Sequence, residues 1–163
     1  SKAIGEFYVR FFAERHQISA LILRVFNTYG PRMVGTRYGQ VIPEFIQKIH
    51  FDKTFTILGD GKQTRCFCYI SDLIGIMQTL IKEQQTGIIN VGNDQEITIL
   101  DLAQTLHLLC KKPFQPVFLP PRPYDHQRRQ PNIGNLRHIL PVLRFTTLID
   151  GLKKTLLANE KTK

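Results

Sequence analysis

Apolar residues recur every three or four positions in four segments of the chain, and this spacing predicts four amphipathic helices. The predicted helices lie near residues 2–12, 40–50, 71–81 and 98–110. The first is the clearest, and its apolar stripe consists of Ile4, Phe7, Tyr8, Phe11 and Phe12.

Polar residues predict two helix caps and a pair of salt bridges within the first helix. Ser71-Asp72 is a candidate cap for the third helix. Thr98, three residues before Asp101, resembles a capping box for the fourth. Glu6 is four residues from both Lys2 and Arg10, so we expect it to pair with them on the solvent-facing side.

Two nearly continuous apolar runs, at 20–26 and 88–91, predict strands buried on both faces of a parallel sheet. Shorter extended segments are predicted at 54–58 and 65–70, with a loop at 27–32 and a turn at 59–62. Two strands cannot cover both faces of a sheet by themselves. We therefore expect the chain to contain part of a larger sheet.

After Lys112 the pattern becomes irregular, because six prolines lie between residues 113 and 131. We expect one short strand at most in this stretch. Two short helices follow, near 134–140 and 147–157, and residues 158–163 are expected to fray. Helices alternating with strands predict the α/β class.

Composition is that of a globular domain, since 42% of the 163 residues are hydrophobic and 21% are charged. No apolar run reaches the roughly 18 residues of a membrane-spanning helix. The chain opens Ser1-Lys2 with no initiator Met and no signal-peptide pattern, so we expect a cut or processed product.

The formal net charge of +9 changes the choice of partners. A positive field attracts phosphate, whether on nucleic acid, a membrane surface or a small molecule. The basic residues are dispersed and match no nucleic-acid-binding module, so we expect no specific nucleic-acid partner. We interpret the three cysteines as reduced, partly buried thiols in a cytoplasmic protein, and we expect no metal, because further ligands at zinc-finger spacing are missing.

Arginine is the side chain best suited to bind phosphate, because its guanidinium forms a bidentate fork. Six arginines lie near predicted turns or strand ends: Arg24, Arg32, Arg37, Arg65, Arg128 and Arg129. Most arginines are simply solvated. Arg65 stands out because it lies in an apolar extended run and needs a buried anion or a carboxylate partner.

Familiar nucleotide-binding and hydrolase motifs do not occur. Gly59-Asp60-Gly61 lacks the third glycine of a phosphate-binding loop, and there is no Walker, HExxH or GxSxG motif. The five histidines show no ligand spacing and are interpreted as scattered surface or interface residues.

Longer blocks of sequence resemble the second half of extended short-chain dehydrogenases/reductases, and most closely the UDP-glucuronate decarboxylases. The blocks are Ser1-Lys2 with Glu6, LRVFNTYGPRM at 23–33, GDGKQTRCFCYISDL at 59–73, Asn90-Val91-Gly92-Asn93, and Arg129-x-Pro131-Asn132-Ile133. The resemblance implies an α/β fold: the C-terminal part of a Rossmann-type parallel sheet plus a small substrate-binding lobe. Residues 1–112 would form the Rossmann part, with lobe segments near 33–70, and 113–163 the rest of the lobe.

The resemblance also implies roles for individual residues. Lys2 matches the lysine of the family's Tyr-x-x-x-Lys catalytic pair, in which the lysine lowers the tyrosine pKa and binds the NAD ribose. The cofactor-binding positions implied are Lys2, Tyr29, Gly30 and Pro31. The substrate-binding positions implied are Asn27, Arg32, Gln63, Arg65, Tyr69 and Arg129, with Arg65 and Arg129 on the diphosphate of a UDP-sugar.

The reaction implied is decarboxylation of UDP-glucuronate with NAD, and the alternative is a nucleotide-sugar 4,6-dehydratase or 4-epimerase. The tyrosine and the Gly-rich NAD motif are not among these 163 residues, so we expect no catalysis by this chain alone. A truncated, non-catalytic nucleotide-sugar-binding module is a further alternative.

The resemblance leaves two interpretations of the apolar stripe on the first helix. Either the stripe packs in the core, or it forms the homodimer interface of the family.

The chain also departs from the family at three places. Asn132 stands where the family has Asp, Leu140-Pro141-Val142 where it usually has Leu-Gly-Trp, and Arg144 where it often has Pro.

Overall fold

The computed structural model describes residues 1–35 and 40–160. The helices of this part are α1 (Lys2–His16), α2 (Val41–His50), α3 (Ile70–Lys82), α4 (Ile99–Leu109), α5 (Gly134–Ile139) and α6 (Leu148–Glu160). The strands are β1 (Leu21–Val25), β2 (Thr28–Tyr29), β3 (Thr56–Leu58), β4 (Thr64–Cys66), β5 (Cys68–Tyr69), β6 (Gly87–Val91), β7 (Glu96–Thr98), β8 (Val117–Leu119) and β9 (Arg128–Arg129).

The strands of the described residues form four small sheets, and most pairings are parallel. β1 pairs with β6, β2 with β5, and β3 with β8, each in parallel. β4 lies between two partners, antiparallel to β7 and parallel to β9. The α/β prediction is confirmed, with parallel strands joined through helices as a Rossmann-type fold requires.

β1 and β6 form the longest pairing, with Leu21 opposite Gly87 and Val25 opposite Val91. The prediction that β1 is buried on both faces is wrong, since no residue of β1 is buried and Val25 is 49% exposed. Leu21 and Leu23 pack against the core that α3 and α5 share with β6. Within the described residues, that core covers one face of β1 and the other face is left more open.

α1 is joined to the other face of β1 by one ion pair. Both carboxylate oxygens of Glu6 accept from Arg24, at 2.8 Å from Nε and 2.6 Å from Nη2. The expected pairing of Glu6 with Lys2 and Arg10 is therefore corrected: a bidentate guanidinium on a neighbouring strand takes both oxygens. This contact also assigns Arg24 a structural role.

The apolar stripe of α1 does not pack in the core of the described chain. α1 has no buried residue, and Phe7 and Ile4 are 65% and 61% exposed. Of the two interpretations of this stripe, packing within this chain's own core is therefore wrong.

The larger core brings α2, α4 and α6 against Tyr29. Tyr29 is buried, its ring centroid lies 5.5 Å from that of Tyr69, and its hydroxyl donates to the Leu148 carbonyl at 3.3 Å. Gly151 of α6 lies so close to this ring that a Cβ there would collide with the Tyr29 hydroxyl. The absence of a side chain at 151 is what lets α6 reach Tyr29.

Helix starts agree with the sequence in one case and differ in another. Thr98 caps α4 as predicted, its hydroxyl accepting from the Asp101 amide at 3.0 Å. The cap predicted at Ser71-Asp72 is wrong, because α3 already begins at Ile70. Asp72 instead accepts from the amide and the hydroxyl of Thr146, at 2.8 and 2.7 Å, and so holds the segment leading to α6.

Several short strands and one helix end depart from the prediction. β2 lies in a predicted loop, β7 is not predicted at all, and the proline-rich stretch holds two strands, β8 and β9, where one at most is expected. Each is two or three residues long and is defined by pairing rather than by its own pattern. α6 runs to Glu160 instead of fraying from 158, and residues 161–163 lie outside the described part.

Two hydrophobic clusters divide the described core. One gathers α2, α4 and α6 around Tyr29, and the other gathers α3, α5 and β6. Residues after 112 contribute to both, with Leu152 in the first and Leu136 in the second. The division of the chain at 112 stays a prediction.

The contact between Gly151 and Tyr29 gives a test of this packing. We expect Gly151→Ala to lower the free energy of unfolding by roughly 1–3 kcal/mol, because the added methyl overpacks the core. Gly75→Ala is the matched control, since Gly75 is also helical but has open space around it. That control should be neutral or stabilising by up to about 1 kcal/mol. Urea unfolding of both variants measures the difference, and equal effects would contradict the close packing.

A buried histidine predicts how stability depends on pH. His107 of α4 is 6% exposed and packs against Phe55 and Phe114, with ring centroids 4.5 and 5.1 Å away. Burial lowers the pKa of its imidazole, and backbone groups of Pro113 and Lys112 oppose this only partly. In the fold the neutral imidazole is favoured, and the unfolded chain binds the proton more readily.

We therefore expect stability to fall as the pH drops through about 6.5, the ordinary histidine pKa. Thermal unfolding between about pH 5 and 8 should show a weaker pH dependence in His107→Gln than in the parent protein. His138→Gln is the control, because His138 is exposed. A pH dependence unchanged by His107→Gln but altered by His138→Gln would rule out this assignment.

Candidate substrate-binding site

A cavity of about 590 Å³ opens between α2, β3 and β4, and the proline-rich loop closes one side. Its size is in the usual range for small-molecule sites. Five of the residues that the sequence predicts for substrate and cofactor line it: Asn27, Tyr29, Gln63, Arg65 and Arg129.

Strand pairing places two of the predicted arginines side by side. β4 and β9 pair in parallel with Arg65 opposite Arg129, and directly paired residues project to the same face of a sheet. Both arginines line the cavity. Two like charges at opposite positions are unfavourable unless an anion lies near them.

Arg65 already has such an anion. Its Nη2 donates to Asp125 Oδ1 at 2.8 Å, while Nη1 donates to the carbonyls of Thr64 and His126 at 2.7 Å each. Only 13% of the Arg65 side chain is exposed. The sequence predicts either a buried anion or a carboxylate as the partner of Arg65, and the structure contains the carboxylate.

Other charges around the cavity are unevenly compensated. Glu44 forms an ion pair with Lys48 at 2.8 Å. Asp125 compensates Arg65. Within residues 1–35 and 40–160, no hydrogen bond or ion pair engages the side chains of Arg122 and Arg129. The cavity therefore has two uncompensated positive charges.

Two amide side chains of the cavity are held by backbone carbonyls. Asn27 Nδ2 donates to the Cys66 carbonyl at 3.1 Å, which ties the segment after β1 to β4. Gln63 Nε2 donates to the Leu58 carbonyl at 2.9 Å across the turn between β3 and β4. Both amides line the cavity in positions set by the backbone of neighbouring strands.

Tyr29 lines the same cavity and is almost completely buried. Burial raises the pKa of that hydroxyl well above its ordinary value, and the negative charge of Asp72 adds to the effect. The hydroxyl is engaged with the Leu148 carbonyl. Tyr29 thus stays protonated at neutral pH.

Two predicted site residues lie away from the cavity lining. Lys2 is exposed on the first turn of α1. Tyr69 is buried against Tyr29, and the Lys154 ammonium lies 5.6 Å from the Tyr69 ring centroid. Neither Lys2 nor Tyr69 is among the described residues that line the cavity, and their functional roles stay predictions.

The turn after β2 holds three more predicted site residues, Gly30, Pro31 and Arg32. A Cβ on Gly30 would collide with the side chain of Ile70, so this glycine allows the turn to pack against α3. The three residues do not line the cavity in the part of the chain that the structure describes. Their roles toward cofactor and substrate also stay predictions.

Other residues singled out by the sequence have structural partners. Arg128 projects to the opposite face of β9 from Arg129 and pairs with Glu96 at 2.6 Å. Asn132 Oδ1 accepts from the Gly134 amide at 3.0 Å, a local turn at the start of α5. Arg37 lies outside the described residues.

Three charged residues of the cavity are missed by sequence analysis: Glu44 on α2, and Arg122 and Asp125. Arg122 and Asp125 both lie in the proline-rich loop, where no periodic pattern suggests which side chains turn inward. The need of Arg65 for a carboxylate is the one signal in the sequence, and it does not say which carboxylate. The conformation of the loop decides that.

Comparison with known proteins identifies the family. A family model described as "NAD dependent epimerase/dehydratase family" matches residues 1–92. The chain belongs to this family. A UDP-glucuronic acid decarboxylase of Arabidopsis thaliana is 35% identical over 151 residues, which is 93% of this chain and 44% of the relative.

Solved structures of the epimerase/dehydratase type have the same fold. A UDP-N-acetylglucosamine 4-epimerase from Methanobrevibacter ruminantium, in complex with UDP-N-acetylmuramic acid, superposes over 99% of this chain and 53% of its own, with a TM-score of 0.90 and 27% identity. A UDP-glucuronic acid 4-epimerase from Bacillus cereus, in complex with UDP-glucuronic acid and NAD, covers 98% and 51%, with a TM-score of 0.83 and 29% identity. The chain thus spans about half the length of these relatives.

Metal-binding and membrane-spanning features do not occur in residues 1–35 and 40–160. No group of three or more His, Cys, Asp or Glu side chains in this part could hold a metal ion. No described helix is long and apolar enough to cross a membrane.

The ion pair between Arg65 and Asp125 predicts that the proline-rich loop is tied down. Tyr124, next to Asp125, is fully exposed and is an open site for chymotrypsin. We expect Arg65→Ala to accelerate limited cleavage after Tyr124 several-fold, because the loop loses its anchor on β4.

The control is Arg137→Ala, which removes another arginine–aspartate pair, Arg137 to Asp94, at the same 2.8 Å. Cleavage rates measured by mass spectrometry should respond to Arg65→Ala only. An equal rate in both variants would mean that Asp125 does not hold the loop.

Proposed function

We propose that this chain forms the substrate-binding part of an NAD-dependent nucleotide-sugar enzyme, and that its substrate is UDP-glucuronate. The observation that carries the proposal is the side-by-side placement of Arg65 and Arg129 on one face of the sheet, toward the cavity. Arg129 brings an uncompensated charge to a diphosphate, and Arg65, whose charge Asp125 compensates, brings a guanidinium N–H donor beside it. The similarity to UDP-glucuronic acid decarboxylases supports the choice of sugar.

The five cavity residues that the sequence predicts each have a part in this binding mode. Arg129 binds one phosphate through a guanidinium without a described partner. Arg65, held by Asp125, offers the Nε edge of its guanidinium to the other. Asn27 and Gln63 hydrogen-bond the polar edges of the nucleotide sugar, and the Tyr29 ring supports its apolar face.

The residues of this chain directed at NAD are Lys2 and the turn Tyr29-Gly30-Pro31. The exposed Lys2 ammonium is accessible to a ribose hydroxyl, whereas the buried Tyr29 supports the turn through its packing against Tyr69. Gly30 contributes less, since its missing side chain makes room for Ile70 rather than for a ligand. In the proposed reaction NAD supplies hydride transfer, while carbon 4 of the sugar is oxidised, carbon dioxide is lost and the ketone is reduced again.

A second candidate reaction is 4-epimerisation, with 4,6-dehydration as the related variant. The solved 4-epimerases that superpose on this chain support it. The decarboxylase hypothesis expects tighter binding of UDP-glucuronate than of UDP-glucose, and calorimetry with both ligands separates it from an enzyme of neutral sugars.

Assembly and location complete the proposal. The exposed stripe of α1 supports a homodimer formed through this helix, because five large apolar side chains in water are costly. The cysteines Cys66, Cys68 and Cys110 are not in disulfides, which supports a location in the reducing cytoplasm.

Adjacent arginines of β9 provide the test of diphosphate binding. We expect Arg129→Ala to weaken UDP binding about tenfold or more, because a charge-assisted hydrogen bond is lost. Arg128→Ala removes the same charge one residue away, on the face bound to Glu96, and should change affinity less than about twofold. Isothermal titration calorimetry measures both. Equal affinities in the two variants would refute the diphosphate assignment.

A further inference from the structure

The proline-rich loop brings a third guanidinium to the cavity. Arg122 lies three residues after β8 ends at Leu119, and its side chain lines the cavity of about 590 Å³ together with Arg65 and Arg129. It also lines an adjoining cavity of about 660 Å³. Neither a motif nor a pairing register predicts this position, so it is known only from the conformation of the loop.

The loop that carries Arg122 is held in place rather than loose. The Asp125 amide donates to the Arg122 carbonyl at 3.3 Å, which closes a turn, and the Asp125 carboxylate binds Arg65. Pro121 and Pro123 flank Arg122 and restrict the backbone on either side of it. The turn that anchors Asp125 on β4 therefore also sets where Arg122 stands.

The charge of Arg122 has no described counterpart. No hydrogen bond or ion pair joins its side chain to another residue of 1–35 or 40–160, and the acids of the cavity, Glu44 and Asp125, are paired with Lys48 and Arg65. Like charges around one cavity repel each other, and a bound anion removes that repulsion.

We propose that Arg122 is a further substrate-binding residue, which contacts an oxyanion of the sugar nucleotide together with Arg129. This inference rests on the proposed function and adds a residue to it. The oxyanion is a phosphate of the diphosphate or the carboxylate of the uronic acid, and both offer the paired oxygens that a guanidinium binds.

The test compares Arg122→Ala with Arg144→Ala in the 163-residue chain. Arg144 is also exposed and forms no hydrogen bond or ion pair with the described residues, but it does not line the cavity. Calorimetry with UDP, UDP-glucuronate and uridine measures binding. We expect Arg122→Ala to weaken UDP and UDP-glucuronate about tenfold, with uridine unchanged and Arg144→Ala within about twofold of the parent.

The ligands separate the two sources of the oxyanion. Weaker binding of both UDP and UDP-glucuronate assigns Arg122 to the diphosphate. Weaker binding of UDP-glucuronate alone assigns it to the carboxylate. Either result supports the proposal, and Arg122→Gln, which keeps hydrogen-bond donors without the charge, should repeat it.

Thermal unfolding distinguishes a binding residue from a structural one. Removing an uncompensated charge should leave the melting temperature unchanged or raise it, whereas a structural role would lower it. If Arg129→Ala weakens UDP binding and Arg122→Ala weakens neither UDP nor UDP-glucuronate, this inference is overturned and the proposed function stands. If neither variant differs from the Arg144→Ala and Arg128→Ala controls, or if the parent chain binds no UDP compound, both are overturned.

Discussion

The parallel pairing of β4 with β9 places two guanidiniums next to each other. Their positive charges repel, and the arrangement of the site depends on how this repulsion is compensated. Arg65 and Arg129 share a face because they share a register position. Asp125 neutralises the more buried of the two. A charged group that is mostly out of water needs such a partner, whereas a more exposed one can await a ligand.

Neutralising Arg65 also organises the chain around it. Asp125 and the His126 carbonyl both bind this side chain, so a stretch rich in proline and without long strands is fixed to β4 at its far end. Its near end is fixed by β8, which pairs with β3. The loop is thus held at both ends by parallel pairings, and the side chains between them form one wall of the cavity.

Local patterns in the sequence predict some elements and miss others. The stripe of α1 and the Thr98 cap of α4 depend on spacing within one helix, and both helices are present. The need of Arg65 for a partner is also predictable, because an arginine in an apolar run is costly whatever the fold. β7 and β9 are not recognisable, since strands of two or three residues exist only through their neighbours. Glu6 likewise has two possible partners at helical spacing, yet both of its carboxylate oxygens bind Arg24 of β1. A long-range contact prevails over a local one when it satisfies more hydrogen bonds.

The two faces of β4 and β9 use charge in opposite ways. On one face, Glu96 accepts from Arg128 and Thr64, and these bonds lower the pKa of its carboxyl to about 2, so the pair stays ionised over the physiological range. On the other face, Arg129 has no described partner and lies beside a cavity. Successive side chains of a strand point to opposite faces, so β9 carries the paired Arg128 on one face and Arg129, unpaired among the described residues, on the other. We expect the proposed anionic ligand to bind at Arg129, because Arg128 beside it is paired with Glu96 whereas Arg129 has no described partner.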